Sequence, residues 1–481
     1  MKFREFFRSR LFFIFAAFIG LYVIFAIKFN QYNDLWWDAA SYIGMAKYIF
    51  SNGKLGLFEP MKTILLPIFL GIGWKIGLNV IYFGKILAFL FSIASLAFVY
   101  LIGKELFDRK VGLIATIILF FNVLFFIFIF RIYTEMLSIC FILGAIYFMI
   151  RFSNKPSPHY LRYLFLFLSA LFSVLAFVNK YPNALIIGIL ELYLLYDFCK
   201  NKKLCYLIAF NVFLLPLVLP FLISNYLLFG DPLYLFNLSQ EYFKSNLGHF
   251  YDLRTFPGIP RLLFENTDLI YFKSLLYLFN ILLPFMFVGI WKIIKDKGER
   301  HYEKILLILL PAIVFFCFFE VFYLKQERYI LSIFPMISLF IGYGLSKFNR
   351  KLVHPALFIY IIVSLIGSSL FFAISVGEMS YQEFFINPPI NFSCASVSTS
   401  DSRAVMNYNI TSTIYEVFDD KWNGGNILKD NPDCVFYYSR SSMIKEHVKI
   451  FEKMNYSVGY SRSNGVGLYA VFKKEEGKIV A

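Results

Sequence analysis

Long apolar runs alternate with short polar segments over most of the chain. A transmembrane helix needs about 20 predominantly apolar residues. We therefore predict an all-α polytopic membrane bundle over residues 1–377. The runs that predict its eleven spanning helices lie at about 11–27, 81–102, 111–130, 132–150, 161–178, 183–198, 204–224, 275–294, 305–323, 329–346 and 354–376.

The run at 64–78 is shorter and is interrupted by Pro67, Gly71, Gly73 and Lys75. If it does not cross the membrane, all six basic clusters, the N-terminus and five between later apolar runs, fall on one side, as the positive-inside rule requires. We therefore expect this segment to lie at the interface or to re-enter. The N-terminus is then cytoplasmic and the C-terminus extracytoplasmic.

The first apolar run follows a basic segment, which is also typical of a secretory signal. The run is long and no small-residue cleavage motif follows it. We interpret it as the first transmembrane helix of a multi-pass cell-membrane protein.

Residues 378–481 are polar and predict a separate extracytoplasmic α/β domain. "CASVST", "DCVFYYS" and "GVGLYAVFK" have the composition of strands, and "SMIKEHVKIFEKM" has the spacing of an amphipathic helix. The domain contains no glycine-rich phosphate loop and no nucleophile motif, so we assign it no chemistry. Its location permits a disulfide between Cys394 and Cys434, and the sequence leaves that pairing open.

Composition agrees with a membrane bundle. The chain is 59% hydrophobic, 21% aromatic and 16% charged, whereas soluble domains are about 25% charged. The net charge of +15 comes largely from clusters between apolar runs, so we assign it to topology and predict no nucleic-acid partner. The five histidines are scattered, which disfavours a histidine-rich zinc site.

Acidic and basic residues gather in the connections predicted to face outward, namely the first loop (28–80), two short turns, a long loop (225–274) and a later turn. Carboxylates there can accept a proton from a hydroxyl or hold an oxygen-ligated divalent ion. Lysine and arginine can hold a phosphate. The candidates are Asp34, Asp38, Glu59 and Lys62 in the first loop, followed by Arg131, Tyr133, Glu135, Lys180, Tyr181, Glu327, Arg328 and Tyr329.

Several candidates also have a structural interpretation. Asp34 or Asp38 can cap the helix that follows. Arg131 and Glu135 are four residues apart and can form an ion pair within a helix. Lys180 can extend its ammonium toward the interface.

Several blocks in order resemble GT-C glycosyltransferases. They are "SYIGMAKYIFSNGKL", "KTILLPIFLGIGWKIG", "LIGKELFDRKVGLIATIIL", "FRIYTEMLSICFILGAIYFMIR", "NKYPNALIIGILELYLLY", "NYLLFGDPLY" and "ERYILSIFPMISLFIGYGL". Together they cover roughly residues 10–346. The nearest branch is similar to the protein O-mannosyltransferase and lipid A aminoarabinose transferase superfamily (glycosyltransferase family 39/83-like).

The resemblance implies an inverting enzyme that takes a sugar from a polyprenyl- or dolichyl-phosphate carrier at the outer face. The acceptor is a protein, a lipid or a glycan. Asp38 matches the first-loop acid and would be a general base or a metal-positioning carboxylate, with Glu135 as the second acid. A divalent cation, Mg²⁺ or Mn²⁺, held by Asp38 and Glu135 is a candidate cofactor.

The same resemblance assigns Arg131, Lys180 and Arg328 to the lipid phosphate. Lys62 stands near the place where many relatives have an arginine. The remaining polar candidates, Asp34, Tyr133, Tyr181, Glu327 and Tyr329, would help to bind the substrates.

The sequence departs from the family pattern at several positions. Asp38 is followed by Ala39 where many relatives have Asp-Glu, Glu135 replaces an aspartate found in some, and "ILLP" replaces "PLYP". These differences leave metal use and sugar identity open. "WWD" at 36–38 is similar to an oligosaccharyltransferase signature, but it lies in the first loop and continues "AAS", so we reject that assignment.

Two alternatives belong to other functional classes. One is a flippase or transporter of lipid-linked sugars, although transporters often contain inverted repeats and no obvious repeat is visible here. The other is a non-catalytic membrane scaffold that presents the C-terminal domain.

Overall fold

The structure of the chain is a computed structural model. It describes residues 10–28, 37–56, 58–59, 62–154, 158–238, 270–295, 299–321, 327–378, 397–399, 412–414, 433–439, 444–463 and 468–474. Asp34 and Cys394 lie outside them.

Helices account for most of the described chain. In order they are α1 Arg10–Lys28, α2 Trp37–Phe50, α3 Leu65–Lys75, α4 Val80–Leu106, α5 Arg109–Phe120, α6 Val123–Phe128, α7 Thr134–Ser153, α8 His159–Asn179, α9 Leu185–Asn201, α10 Leu204–Phe229, α11 Ile270–Phe279, α12 Leu283–Lys295, α13 Glu299–Val321, α14 Phe334–Ser346, α15 Arg350–Glu378 and α16 Ile444–Lys453. Short 3₁₀ segments precede α9 (Tyr181–Ala184), α12 (Asn280–Leu282) and α14 (Glu327–Ile333).

Nine helical segments within the described residues are long and apolar enough to cross a membrane. They lie at nine of the eleven predicted positions, and α1 lies at a tenth, so the polytopic helical fold is confirmed. α3, at the ambiguous segment 64–78, has only 11 residues. That length is well short of a bilayer crossing.

The predicted span at 111–130 is wrong as one continuous helix. α5 ends at Phe120, and Asn122 caps the short helix α6. The Asn122 carboxamide oxygen accepts hydrogen bonds from the backbone N–H groups of Leu124 and Phe125, and its Nδ2 donates to the Leu278 carbonyl. A single buried asparagine therefore breaks an apolar run that hydropathy alone presents as unbroken.

Glycines allow two helices to approach closely. A Cβ added at Gly344 on α14 would lie 2.0 Å from the carbonyl oxygen of Phe285 on α12, and one at Gly289 would lie 2.2 Å from the carbonyl oxygen of Phe340. Small residues at facing positions are how membrane helices gain contact, since lipid is as apolar as the helix surface. This pair packs backbone against backbone.

The chain divides into two compact units. Unit 1 comprises Met1–Phe29 and Lys85–Ala373, and unit 2 comprises Asn30–Gly84 and Ile374–Ala481. Unit 1 contains most of the helical bundle. The predicted division of the chain after residue 377 stays a prediction.

The C-terminal part of unit 2 contains a five-stranded sheet with strand order β2-β1-β3-β5-β4. Its strands are β1 Val397–Thr399, β2 Ser412–Ile414, β3 Cys434–Ser439, β4 Tyr456–Ser463 and β5 Leu468–Lys474. β1 pairs in parallel with β2 and β3, while β5 pairs antiparallel with β3 and β4. The α/β character matches the prediction, and the sequence analysis missed β2 and β4.

Cys434 at the start of β3 forms a disulfide. The other described cysteines, at 140, 199, 205 and 317, are free. A bridge at Cys434 fits the predicted extracytoplasmic location of this domain, because disulfides persist in oxidising compartments.

We expect Gly344→Ala to lower the free energy of unfolding by about 1–3 kcal/mol, because the new methyl group meets a backbone carbonyl that cannot move aside. Gly188→Ala on α9 is the matched control, since a Cβ there has no atom within 4 Å. Thermal unfolding of the protein in detergent measures both changes. Equal melting temperatures for the two variants would contradict the close packing of α12 and α14.

Candidate functional site

A narrow pocket in unit 1 collects polar groups from several helix ends. Together with the open solvent at its mouth, the space between its atoms amounts to about 220 Å³. The polar contributions come from the first turns of α7, the turn between α8 and α9, and the 3₁₀ segment before α14. The lining residues are Glu135, Ser138, Lys180, Asn183, Phe319, Arg328, Tyr329 and Ser332.

Glu135 is the only carboxylate among the lining residues, and its side chain is 3% exposed. Its Oε1 lies 3.1 Å from Lys180 Nζ and 3.9 Å from Arg328 Nε. Glu135 sits in the first turn of α7, and Lys180 is the C-cap of α8. Each charge therefore lies at the helix end whose dipole stabilises it.

The connection from α8 to α9 places Lys180 at the pocket. Its backbone is extended, with φ −160° and ψ 116°, and its N–H closes the last turn of α8 on the carbonyls of Ala176 and Phe177. Pro182 then starts the 3₁₀ turn, because its ring fixes φ and it has no N–H to bond. The sequence "NKYPN" thus ends one helix with a lysine facing the pocket.

Aromatic rings surround the two cations. Lys180 Nζ is 4.7 Å from the centre of the Tyr329 ring, and the Arg328 guanidinium carbon is 5.1 Å from the Tyr133 ring and 5.6 Å from the Tyr329 ring. Phe319 stacks on Tyr329 at 5.7 Å. The ring faces attract the cations.

Two buried amide side chains hold together the helix ends that form the pocket. Asn179 and Asn183 each donate a hydrogen bond from Nδ2 to the Ser138 hydroxyl oxygen, at 2.8 and 2.9 Å. Asn179 Nδ2 also donates to the Thr134 carbonyl and Asn183 Nδ2 to the Ala176 carbonyl. These bonds tie the start of α7 to the end of α8.

Among the described lining residues, the pocket has more basic than acidic side chains. Lys180 and Arg328 face the single lining carboxylate, Glu135, whose Oε2 is buried and accepts no hydrogen bond from a described residue. A charge that is taken out of water is costly unless it is paired or used. The described lining residues of the pocket thus carry an excess of basic over acidic side chains.

A second charged cluster lies in unit 2 at the start of α2. Asp38, in the first turn, accepts a hydrogen bond of 2.5 Å from Lys62 Nζ. Glu59 Oε2 lies 3.6 Å from the same ammonium, and the Tyr42 ring centre lies 5.3 Å from it. Burial raises the pKa of the Glu59 carboxyl, while the charge of Lys62 opposes that rise. The Lys62 ammonium thus lies closer to the Asp38 carboxylate than to the Glu59 carboxylate.

Gly56 allows the loop that follows α2 to pack against that helix. Gly56 has φ +83°, and a Cβ there would lie 2.2 Å from the carbonyl oxygen of Gly44. The left-handed conformation and the contact both require glycine. This contact fixes the path of the chain toward Glu59 and Lys62.

The predicted site residues divide into several groups. Unit 1 brings Tyr133, Glu135, Lys180, Arg328 and Tyr329 together, and unit 2 brings Asp38 to Lys62. Asp34 lies outside the described residues.

Three other candidates lie in unit 1 but do not line the pocket. Arg131 is buried, with its guanidinium 5.9 Å from the Phe371 ring. Tyr181 packs in an apolar cluster with Phe221 and Leu235. Glu327 is buried at the start of its 3₁₀ segment.

Sequence analysis missed four pocket residues, namely Ser138, Asn183, Phe319 and Ser332. Ser138 and Asn183 are polar residues within or beside runs predicted to span the membrane, which is the signal that would have selected them. Phe319 carries no such signal in a chain with 62 phenylalanines.

The predicted metal ligands are each engaged by an ammonium group. Lys62 lies on Asp38 and Lys180 lies on Glu135, and a divalent cation would have to displace these positive charges. The described residues contain no group of three or more His, Cys, Asp and Glu side chains arranged to hold a metal. This donor set does not fit a metal ion as it stands, so we derive no step through one.

Glu135 and Lys180 should be strongly coupled, because breaking a buried pair leaves an uncompensated charge. In a double-mutant cycle of Glu135→Gln and Lys180→Gln, we expect a coupling energy of about 2–3 kcal/mol in the free energy of unfolding. The more exposed pair Lys200–Glu303 is the control and should give below about 1 kcal/mol. Equal coupling energies in the two cycles would contradict the stronger coupling expected for the buried Glu135–Lys180 pair.

Part of the chain matches a known protein family. Residues 61–223 match the family model described as dolichyl-phosphate-mannose-protein mannosyltransferase, a segment that contains Lys62, Glu135 and Lys180. The match covers about a third of the 481 residues. No curated protein matches the chain.

Several solved structures resemble the chain over most of its length. ArnT from Cupriavidus metallidurans, bound to undecaprenyl phosphate, is 11% identical, with a TM-score of 0.68 over 95% of this chain and 97% of that one. The archaeal oligosaccharyltransferase AglB from Archaeoglobus fulgidus, in complex with an inhibitory peptide and a dolichol-phosphate, is 12% identical, with a TM-score of 0.56 over 92% of this chain and 71% of that one. At such low identity the likeness concerns the fold. The chain is a multi-pass membrane protein with the fold of GT-C glycosyltransferases.

Proposed function

We propose that the protein is a membrane glycosyltransferase that moves a sugar from a polyprenyl-phosphate donor to a protein, lipid or glycan acceptor at the outer face. The observation that carries this proposal is the pocket of Glu135, Lys180 and Arg328, whose described lining residues include more basic than acidic side chains. The family match supports the donor class, and so do the lipid phosphates in ArnT and AglB.

The pocket suits a phosphate attached to a long lipid. Arg328 can donate two parallel hydrogen bonds to phosphate oxygens, and Lys180 supplies a point charge. The aromatic walls and the apolar bundle accommodate hydrocarbon. A soluble phosphate would gain nothing from these surroundings.

We assign the unit 2 cluster to the acceptor. In an inverting transfer, the acceptor oxygen attacks the anomeric carbon from the face opposite the phosphate, and a base takes the acceptor proton. Asp38 is the base in this proposal, and Lys62 holds its carboxylate in position through their hydrogen bond.

The bond from the anomeric carbon to the phosphate oxygen breaks as the new bond forms, and its electron pair goes to the phosphate. Lys180 and Arg328 stabilise the charge that develops on this leaving group. Fixed charges in a water-poor site act strongly because they need no reorganisation during the reaction.

Replacement of Asp38 by Asn should lower the rate of transfer at least about 100-fold, since a carboxamide cannot accept the proton. Radiolabel transfer from a panel of polyprenyl-phosphate sugars into membrane lipid and protein fractions measures the rate. Asp231→Asn is the control, because among the described residues that carboxylate accepts hydrogen bonds only from Leu233 N–H and Asn237 Nδ2 in its own turn. Transfer by the Asp38 variant at the parental rate would exclude Asp38 as the base.

Lys180→Gln and Arg328→Gln should each raise the KM for the lipid donor by about tenfold or more, because each removes a charge-assisted hydrogen bond. Arg328→Lys should give an intermediate KM, since it keeps the charge and loses the planar fork. Initial rates over a range of donor concentrations provide the values. An unchanged KM in all three variants would contradict the placement of the phosphate in this pocket.

A further inference from the structure

The hydroxyl group of Ser138 is free only to donate its hydrogen, because its oxygen already accepts two hydrogen bonds. A serine hydroxyl carries one hydrogen and two lone pairs. Both lone pairs accept hydrogen bonds, from Asn179 Nδ2 at 2.8 Å and from Asn183 Nδ2 at 2.9 Å. The hydroxyl oxygen is therefore saturated as an acceptor, and its hydrogen can only be donated.

The two amides are themselves oriented by backbone carbonyls. Asn179 Nδ2 donates one hydrogen to the Thr134 carbonyl and Asn183 Nδ2 donates one to the Ala176 carbonyl. Only an NH₂ group can donate to a carbonyl, so each amide turns its nitrogen inward and directs its second hydrogen to Ser138. The acceptor role of Ser138 thus follows from the backbone around it.

The hydrogen of Ser138 has no acceptor among the described residues. A helical serine usually donates to the carbonyl four residues earlier, here Thr134. That carbonyl accepts a hydrogen bond from Asn179 Nδ2, and Ser138 makes no hydrogen bond to it. Ser138 is 2% exposed and lines the pocket beside Lys180 and Arg328. A buried polar group with an unused donor is costly until a ligand accepts from it.

We propose that Ser138 donates a hydrogen bond to a phosphate oxygen of the lipid donor. This inference rests on the proposed function, which places that phosphate in the pocket. Ser138 then completes a cradle of donors with Lys180 and Arg328. A neutral donor beside two charged ones adds direction, because the amides hold it in one orientation.

The test is binding of undecaprenyl phosphate to the full-length protein in nanodiscs. Ser138→Ala should weaken the affinity at least about tenfold, the usual effect of losing a hydrogen bond to a charged group. Ser138→Thr keeps the hydroxyl and should recover most of that loss. Binding of undecaprenol, which has no phosphate, should be the same in all variants.

Two controls separate a contact with the ligand from damage to the fold. Ser173→Ala removes another buried hydroxyl of this bundle, one that donates to the Ser169 carbonyl, and should leave binding unchanged. Melting temperatures report folding, and Ser138→Cys preserves the side-chain volume if the alanine variant does not fold. Cysteine is a weak donor, so it should also lose affinity.

The inference is overturned if Ser138→Ala binds undecaprenyl phosphate as tightly as the parent while Lys180→Gln binds it more weakly. It is also overturned if Ser138→Ala and Ser138→Thr lose affinity equally, or if undecaprenol binding falls in parallel. If Lys180→Gln and Ser138→Ala both bind as the parent does, the proposed phosphate site itself is wrong.

Discussion

The burial of Glu135 against two cations is the interaction on which the unit 1 pocket depends. A carboxylate that is 3% exposed in an apolar bundle is tolerated only because Lys180 and Arg328 lie next to it. Their own positions depend in turn on a helix end, a proline turn and a 3₁₀ segment. The helix dipoles favour the same arrangement. Geometry that would be costly alone is held by several elements at once, which is how a binding site is preorganised.

Charge at the opposite helix ends has a different character. Arg151 lies 3.6 Å from Glu105, and Asn154 bridges Glu105 to Lys304 through hydrogen bonds of 3.2 and 2.5 Å. The side chains of Arg151 and Glu105 are 35% and 26% exposed. Water screens such pairs, so their contribution to stability is small. The same residue types form a partly exposed network at these helix ends and a buried cluster in the pocket, and burial makes the difference.

The low identity to ArnT beside a TM-score of 0.68 has a physical explanation. A membrane helix requires apolar side chains of suitable length, and many sequences meet that requirement. The constraint is stricter only where backbones touch, as at Gly289 and Gly344, or where a buried polar group needs its partner, as at Asn122. Those few positions hold the bundle together, while the lipid-facing surface is free to vary.

Hydropathy and charge placement by themselves determined the helical membrane class, the approximate position of nearly every span and the α/β character of the tail, because these depend on local composition. Local sequence also indicated the acids and bases at helix ends. It did not show the break at Asn122, which depends on a hydrogen bond to Leu278 more than 150 residues away. Nor did it show that Ser138 lines the same pocket as Glu135 and Lys180, with both lone pairs of its hydroxyl oxygen accepting hydrogen bonds. Such facts require segments distant in sequence to meet, and only the tertiary structure decides which polar groups find partners and which remain for a ligand.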